Sequence, residues 1–385
     1  MENFQFCIPT NILFGKGQIE NLPQVMGDFG KNILLVYGGG SIKRIGLYDK
    51  VQKLLTDWNL YELSGVDPNP RLETVKQGIE ICRKNSVDVI LAVGGGSVID
   101  CSKAIAAGFY YEGDTWEMIA SHAPLKKALP IVTVLTIAAT GSEADAGAVI
   151  SNPDTKEKMA LFDPAVFPKT SILDPEYTFT VPPKQTAAGS IDVLSHLMEQ
   201  YFVPATTFMG DLLIEAVMKT VVKYAPIAMA EPDNYEARGQ LMWGSTLADN
   251  ATLCNGNRLA AFSCHSIEHE LSAYYDVTHG VGLAIITPRW MEHVLSEKTA
   301  PRFAHFGKEV FHVHGKDDME SAKMAIDAVY KFFESLGVPM TFTEIGVGTE
   351  HFADMAKHAV QFGGLSHGWV PLNETDVITI LEKCL

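Results

Sequence analysis

Short β-branched runs that break into glycine, and that cease at a pair of prolines midway along the chain, constrain this sequence more than any other feature in it. NILLVYGGGS from residue 32, VDVILAVGGGSVID from residue 87, PIVTVLT from residue 130 and TSILDP from residue 170 alternate with helical patterns. Such alternation predicts a parallel sheet with helices packed on its faces. The opening FQFCIPTNILFGKG reads as one or two edge strands. Beyond Pro182 and Pro183 the runs vanish, and stretches such as QTAAGSIDVLSHLMEQYF and YEARGQLMWGSTLADNATLC carry helical periodicity instead. VPPK marks a helix start, because proline is tolerated in a first turn. A chain of 385 residues also exceeds the ~250–300 at which one hydrophobic core stops growing. The expectation is an amino-terminal Rossmann-like α/β domain over residues 1–183 and an all-helical domain over residues 184–385.

Composition removes several classes of function. A formal net charge of −16 leaves no basic surface for a phosphate backbone, so no nucleic-acid partner is expected. No run reaches the ~18 apolar residues that span a bilayer. MENFQFCIPTNILFG has none of the parts of a secretory leader. The six cysteines form no CxxC pair or zinc-finger spacing and read as reduced thiols in a reducing compartment, and with no leader recognisable a cytoplasmic location is the default expectation. Any metal must then be held by histidine and carboxylate.

Two glycine clusters follow strand-like runs directly: Gly38, Gly39 and Gly40 with Ser41, and Gly94, Gly95 and Gly96 with Ser97. Each by itself fits a tight strand-to-helix turn equally well. Two of them at strand ends point to a cofactor pyrophosphate, held by close backbone approach and the positive end of the following helix. Neither matches G-x-G-x-x-G or a P-loop. The segment TIAATGSEAD adds the hydroxyls of Thr136, Thr140 and Ser142 after a third strand. Filler by small residues remains an equal reading of that loop taken alone.

In the helical half, Asp192 and His196 are four apart and share a helix face. His265 and His269 are likewise one turn apart, and His279 follows. A lone histidine on an apolar face is usually a hydrogen-bonded core residue. The concentration of three in fifteen residues, from twelve in the chain, leaves a metal site and a set of core histidines equally open. His305, His312, His314 and His367 lie in charged or loop-like surroundings and read as surface residues.

TNILFGKG, YGGGSIK, VDPNP, AVGGGSVID, TIAATGSE, AAGSIDVLSHLMEQYF and HSIEHELSAYYDVTHG together resemble the iron-containing (group III) alcohol dehydrogenase family, its butanol dehydrogenase and aldehyde reductase branch in particular. The resemblance implies a dehydroquinate-synthase-like architecture and a homodimer. It puts Asp192, His196, His265 and His279 at the family's metal-ligand positions. His269 matches the histidine that faces the nicotinamide and relays a proton. Gly38, Gly39, Ser41, Asn69, Gly95, Gly96, Ser97, Thr136, Thr140, Lys158 and Tyr177 match cofactor contacts, with Asp145 and Gly147 less closely.

The implied chemistry is hydride transfer between a nicotinamide and a small or medium primary alcohol or aldehyde such as butanol or butanal, with a divalent cation stabilising charge on the carbonyl oxygen. Three imidazoles and a carboxylate suit Fe²⁺ or Zn²⁺; four protein ligands lean towards iron, since catalytic zinc more often keeps three. Gly38 stands where an NAD-preferring member places an acid. With Lys43 and Arg44 nearby, that favours NADP(H) over NAD(H). Other chemistries on the same fold are glycerol dehydrogenation and dehydroquinate-synthase-type elimination. A sugar phosphate would require basic residues, and the metal-bearing segments offer Leu247, Leu253, Phe262, Tyr274 and Tyr275 instead.

Overall fold

The computed structural model describes residues 1–121 and 123–385. Its larger sheet has six parallel strands: β1 (Asn11–Phe14), β2 (Asn32–Tyr37), β3 (Asn59–Leu63), β4 (Val89–Gly94), β5 (Ile131–Leu135) and β8 (Thr170–Leu173), in the order β1-β8-β5-β4-β2-β3. The runs are apolar at consecutive positions because both faces are covered. Leu34, Val36, Ile90 and Ala92 enter the core on one face, while Ile33, Leu35, Val89 and Leu91 enter the core on the other. The chain leaves β2 to one side for β3 and returns to the other for β4, so the order reverses between β2 and β4. Open α/β sheets bind ligands at such a reversal. An antiparallel hairpin of β6 (Gly147–Asn152) and β7 (Glu157–Phe162) had no clear sequence signal and stands apart from the main sheet.

Among the described residues seven helices accompany these strands: α1 (Leu22–Gly27), α2 (Ser41–Arg44), α3 (Leu47–Leu54), α4 (Leu72–Asn85), α5 (Gly96–Tyr110), α6 (Thr115–Ala120) and α9 (Tyr235–Ala248). The other unit is helical: α7 (Pro183–Tyr201), α8 (Phe208–Ala230), α10 (Ser263–Tyr275), α11 (His279–Val294), α12 (Ala300–Phe311), α13 (Asp318–Ser335), α14 (Phe352–Phe362) and α15 (Glu374–Lys383). One compact unit comprises Cys7–Val181 and Pro232–Asn250, the other Met1–Phe6, Pro182–Glu231 and Ala251–Leu385.

The main division thus falls at the prolines, and α7 starts there with Pro183 in its first turn. Two segments depart from a single boundary. Helix α9, with YEARGQLMWGSTLA, groups with the α/β unit, and residues 1–6 group with the helical one. A helical period reports which face is buried but not which core buries it, so the grouping of α9 is not readable from its pattern. Among the described residues no helix is long and apolar enough to cross a membrane.

Candidate metal and cofactor sites

Helix α7 is buried without interruption from Thr186 to Tyr201, so its polar residues point into protein. Asp192 and His196, one turn apart, are both buried there. Helix α10 brings His265 against them, and α11 begins at His279. Gly280 allows α11 to approach α7, because a Cβ at that position would fall on the Ala188 carbonyl.

Three imidazoles converge on one carboxylate oxygen. Asp192 Oδ1 lies 3.5 Å from His196 Nδ1, 3.6 Å from His265 Nε2 and 3.5 Å from His279 Nε2. Donor atoms about 2.1 Å from a tetrahedral cation stand about 3.4 Å apart, so each separation from Asp192 is one that a shared divalent ion would set, although His196 does not join the mutually close set of donors. Ligating atoms of Asp192, His265 and His279 all fall within 4.8 Å of one another. Asp192 Oδ1 and His265 Nε2 are buried without a hydrogen-bond partner among the described residues. A buried polar atom without a partner is costly, and a cation would relieve both at once.

Behind the imidazoles stand two carboxylates that sequence reasoning missed. Glu199 Oε2 accepts from His265 Nδ1, and Glu268 Oε2 from His279 Nδ1, which turns each Nε2 towards Asp192. Such outer carboxylates fix ring orientation and raise ligand basicity. Glu199 also accepts from the backbone N–H of Cys264 at 2.6 Å and of His265 at 3.3 Å. It therefore caps α10, whose own N-cap residue Phe262 supplies no side-chain bond. Glu268 is held by Ser272 Oγ at 2.5 Å, and Gly282 leaves room for it, since a Cβ there would sit 2.7 Å from Glu268 Cγ. The signal was spacing: Asp192, His196 and Glu199 follow i, i+4, i+7 on one face, and Glu268 lies three after His265.

Burial opposes ionisation of Asp192, but the charges of His196 and His279 hold it below the usual carboxylate range. Burial likewise resists protonation of His265, yet Glu199 and Asp192 push its pKa up to about 10. His269 is half-buried, its ring centre 5.6 Å from that of His279, and with Glu268 and His279 it forms a second set of donors within 4.8 Å. Phe262 packs near His265 and His196, whereas Tyr274 and Tyr275 lie against His351 and Leu247 belongs to the other unit.

In the α/β unit the register aligns Tyr37 with Val93 and Gly94 with Leu135. Gly38, Gly39 and Ser41, then Gly95, Gly96 and Ser97, then Thr136 and Thr140 therefore gather at the carboxyl ends of neighbouring strands β2, β4 and β5. Tyr177 follows β8 at the same end, packed on the core. Thr136 N–H donates to the Gly94 carbonyl at 3.0 Å, and Ser97 Oγ to the Pro68 carbonyl beside buried Asn69. Gly147 opens the hairpin and buried Lys158 pairs across it with Ser151, whose N–H donates to the Pro70 carbonyl at 2.8 Å. Asp145 instead accepts from the fully buried Lys103 at 2.7 Å and from Gly147 N–H at 2.6 Å, an anchoring arrangement. Lys43 is not a free surface charge: its ammonium stands 4.5 Å over the Tyr48 ring and 5.1 Å over that of Tyr37, and both hydroxyls donate to Glu62.

Residues 9–175 match the model of the family described as iron-containing alcohol dehydrogenase, and residues 186–385 match that of its carboxy-terminal domain. The chain is 50% identical to NADH-dependent butanol dehydrogenase A of Clostridium acetobutylicum over the whole of both chains. It is 36% identical to the NADPH-dependent aldehyde reductase YqhD of Escherichia coli, covering 99% of this chain and 97% of that one. The crystal structure of NADH-dependent butanol dehydrogenase A from Thermotoga maritima superposes with a TM-score of 0.95 at 38% identity, covering 100% of this chain and 99% of that one. With both halves of the sequence matched, the chain belongs to the iron-containing alcohol dehydrogenase family, in its butanol dehydrogenase and aldehyde reductase branch.

Proposed function

We propose that Asp192, His196, His265 and His279 hold one divalent cation, Fe²⁺ or Zn²⁺, and that the protein interconverts small or medium primary alcohols and aldehydes, such as butanol and butanal, with a nicotinamide cofactor. The observation that carries this reading is the convergence of three imidazole nitrogens on Asp192 Oδ1 at 3.5–3.6 Å. A bound cation supplies Lewis acidity at a carbonyl oxygen, where hydride addition builds negative charge. Glu199 and Glu268 keep the imidazole Nδ1 atoms protonated and the Nε2 atoms presented. Phe262 contributes apolar surface beside His196 and His265, which suits an uncharged chain. In this reading His269 passes a proton to the product oxygen or to solvent. Asn69, Asp145, Gly147, Lys158 and Tyr177, with the three loops at the ends of β2, β4 and β5, complete the proposed cofactor contacts.

NADP(H) is the cofactor the site admits on the absence of a carboxylate at Gly38. A specific observation favours a second reading, NAD(H). Lys43 is engaged with the Tyr37 and Tyr48 rings, so of the two basic residues of that loop Arg44 is the less engaged among the described residues. Relatives 44–50% identical to this chain bear NADH-dependent names. Equal titration of the two cofactors against butanal separates them: a tenfold better kcat/KM with NADH removes the NADP(H) reading. The proposed homodimer would use the outer edge of β1, where pairing is open beyond β8. The six free cysteines agree with a cytoplasmic location.

The reading is tested on metal content. His265→Ala should lose most bound iron or zinc and with it aldehyde reduction, and a variant that keeps full metal content overturns the ligand assignment.

A further inference from the structure

The loop from Thr136 to Glu143 is wedged between two helix ends. On one side it meets the start of α5: a Cβ at Gly96 would collide with the Thr140 side chain, and one at Gly95 would come within 3.3 Å of Ile137. On the other it meets the end of α9. Gly141, at φ +73°, brings the turn so close that a Cβ there would lie 2.9 Å from the Ser245 carbonyl and 3.3 Å from Asp249 Cβ. The side chain next to this turn, Glu143, is completely buried. Its Oε1 accepts from Thr246 Oγ1 on α9 at 2.6 Å, and its Oε2 has no partner among the described residues. The Glu143 carbonyl accepts from Ser171 Oγ at 2.6 Å, which ties the same residue to β8. Ser142 Oγ donates to Asp100 Oδ1 at 2.6 Å, and Asp100 Oδ2 accepts from Val149 N–H at 3.0 Å, so the loop is anchored to α5 and the hairpin as well.

Each of these anchors lies in sequence near the sheet except one. Helix α9 comes about a hundred residues after the loop, past α7 and α8, and returns to the α/β unit. A fully buried carboxyl group with one oxygen unpartnered among the described residues is an expensive way to fill space, and burial pushes its pKa up to about 7. Packing alone would be served by leucine or methionine.

We propose that Glu143 and Thr246 are positioning residues for the nicotinamide cofactor: the bond between them lets α9 hold the Thr136–Thr140 loop against the first turn of α5, where the glycines must present their N–H groups. This rests on the cofactor reading above. Loss of the bond frees the loop on its α9 side, and the Thr140 contact passes the displacement to Gly96. Cofactor affinity falls, while the aldehyde and cation sites, on other elements, keep theirs.

The test compares wild type, Thr246→Val and Thr246→Ser by direct titration with NADH and with NADPH, following cofactor fluorescence without substrate. Thr246→Val should weaken cofactor binding about tenfold with metal content unchanged, and Thr246→Ser, which keeps the hydroxyl, should bind within about twofold of wild type. Glu143→Gln, which still accepts from Thr246, should resemble Thr246→Ser. Thr246→Val binding as tightly as wild type overturns the proposal. So does equal weakening in Thr246→Val and Thr246→Ser, which would assign the effect to packing. A wild-type protein that binds neither cofactor removes the cofactor reading itself, a result distinguishable from either.

Discussion

Glu199 and Glu268 decide how sharply the imidazoles are aimed, because each holds the Nδ1 of a histidine whose Nε2 faces Asp192. Glu268→Gln keeps the shape and removes the charge; metal affinity measured by chelator competition should fall 10- to 100-fold, the usual effect of losing an outer-shell partner. An unchanged affinity would make Glu268 a packing residue. Glu143, in the α/β unit, provides a pH-dependent counterpart. Its carboxyl is raised by burial, with Asp145 adding to the rise and Thr246 and Lys103 opposing it. An acid raised in the folded state favours folding while protonated, so its contribution is complete below the ordinary glutamate range and is lost as pH climbs to about 7. Relative to Glu143→Gln, wild-type stability should therefore decline between about pH 4.5 and 7, by roughly 2–3 kcal/mol. Parallel denaturation curves for the two proteins across that window would contradict the assignment. The metal candidates were legible at this scale because helical spacing puts Asp192 beside His196 and His265 one turn from His269. The outer carboxylates were hidden, since a glutamate on a buried helix looks like any other until its partner from another helix is known.

At the scale of elements, the centre depends on where α11 meets α7. Gly280 permits that approach, and Gly280→Ala forces a methyl group into the Ala188 carbonyl, a rigid backbone atom. We expect a loss of about 1–3 kcal/mol in stability, in the range for overpacked sites, together with weaker metal binding as His279 moves away from Asp192. Retention of full metal affinity would show that α11 can shift without cost. The strands β2, β4, β5 and β8 were plain in sequence because β-branched runs bounded by glycine or proline have few other uses. The β6–β7 hairpin was not, because Gly147–Asn152 and Glu157–Phe162 mix polar with apolar residues and lie outside the doubly covered sheet. The same limit applies to Asp145, whose bond to Lys103 depends on a residue forty-two positions earlier that its place beside Gly147 does not reveal.

For the whole molecule, the chain passes from one compact unit to the other at Pro182, and the proposed chemistry divides between them, cofactor loops in one and imidazoles in the other. The excursion of α9 back to the α/β unit was invisible because nothing in its amphipathic pattern names the core it joins. One consequence of the division is that chelation should leave cofactor affinity within about threefold while abolishing turnover; parallel loss of both would mean that the two ligands depend on each other. The central claim is that a divalent cation held by Asp192, His196, His265 and His279 carries the aldehyde chemistry. The direct measurement is the rate of reduced-cofactor oxidation with butanal in protein stripped by a chelator and then resupplied with Fe²⁺ or Zn²⁺. The account requires activity to vanish on stripping and return in proportion to metal bound, with no return in His265→Ala; undiminished turnover by metal-free protein would contradict it.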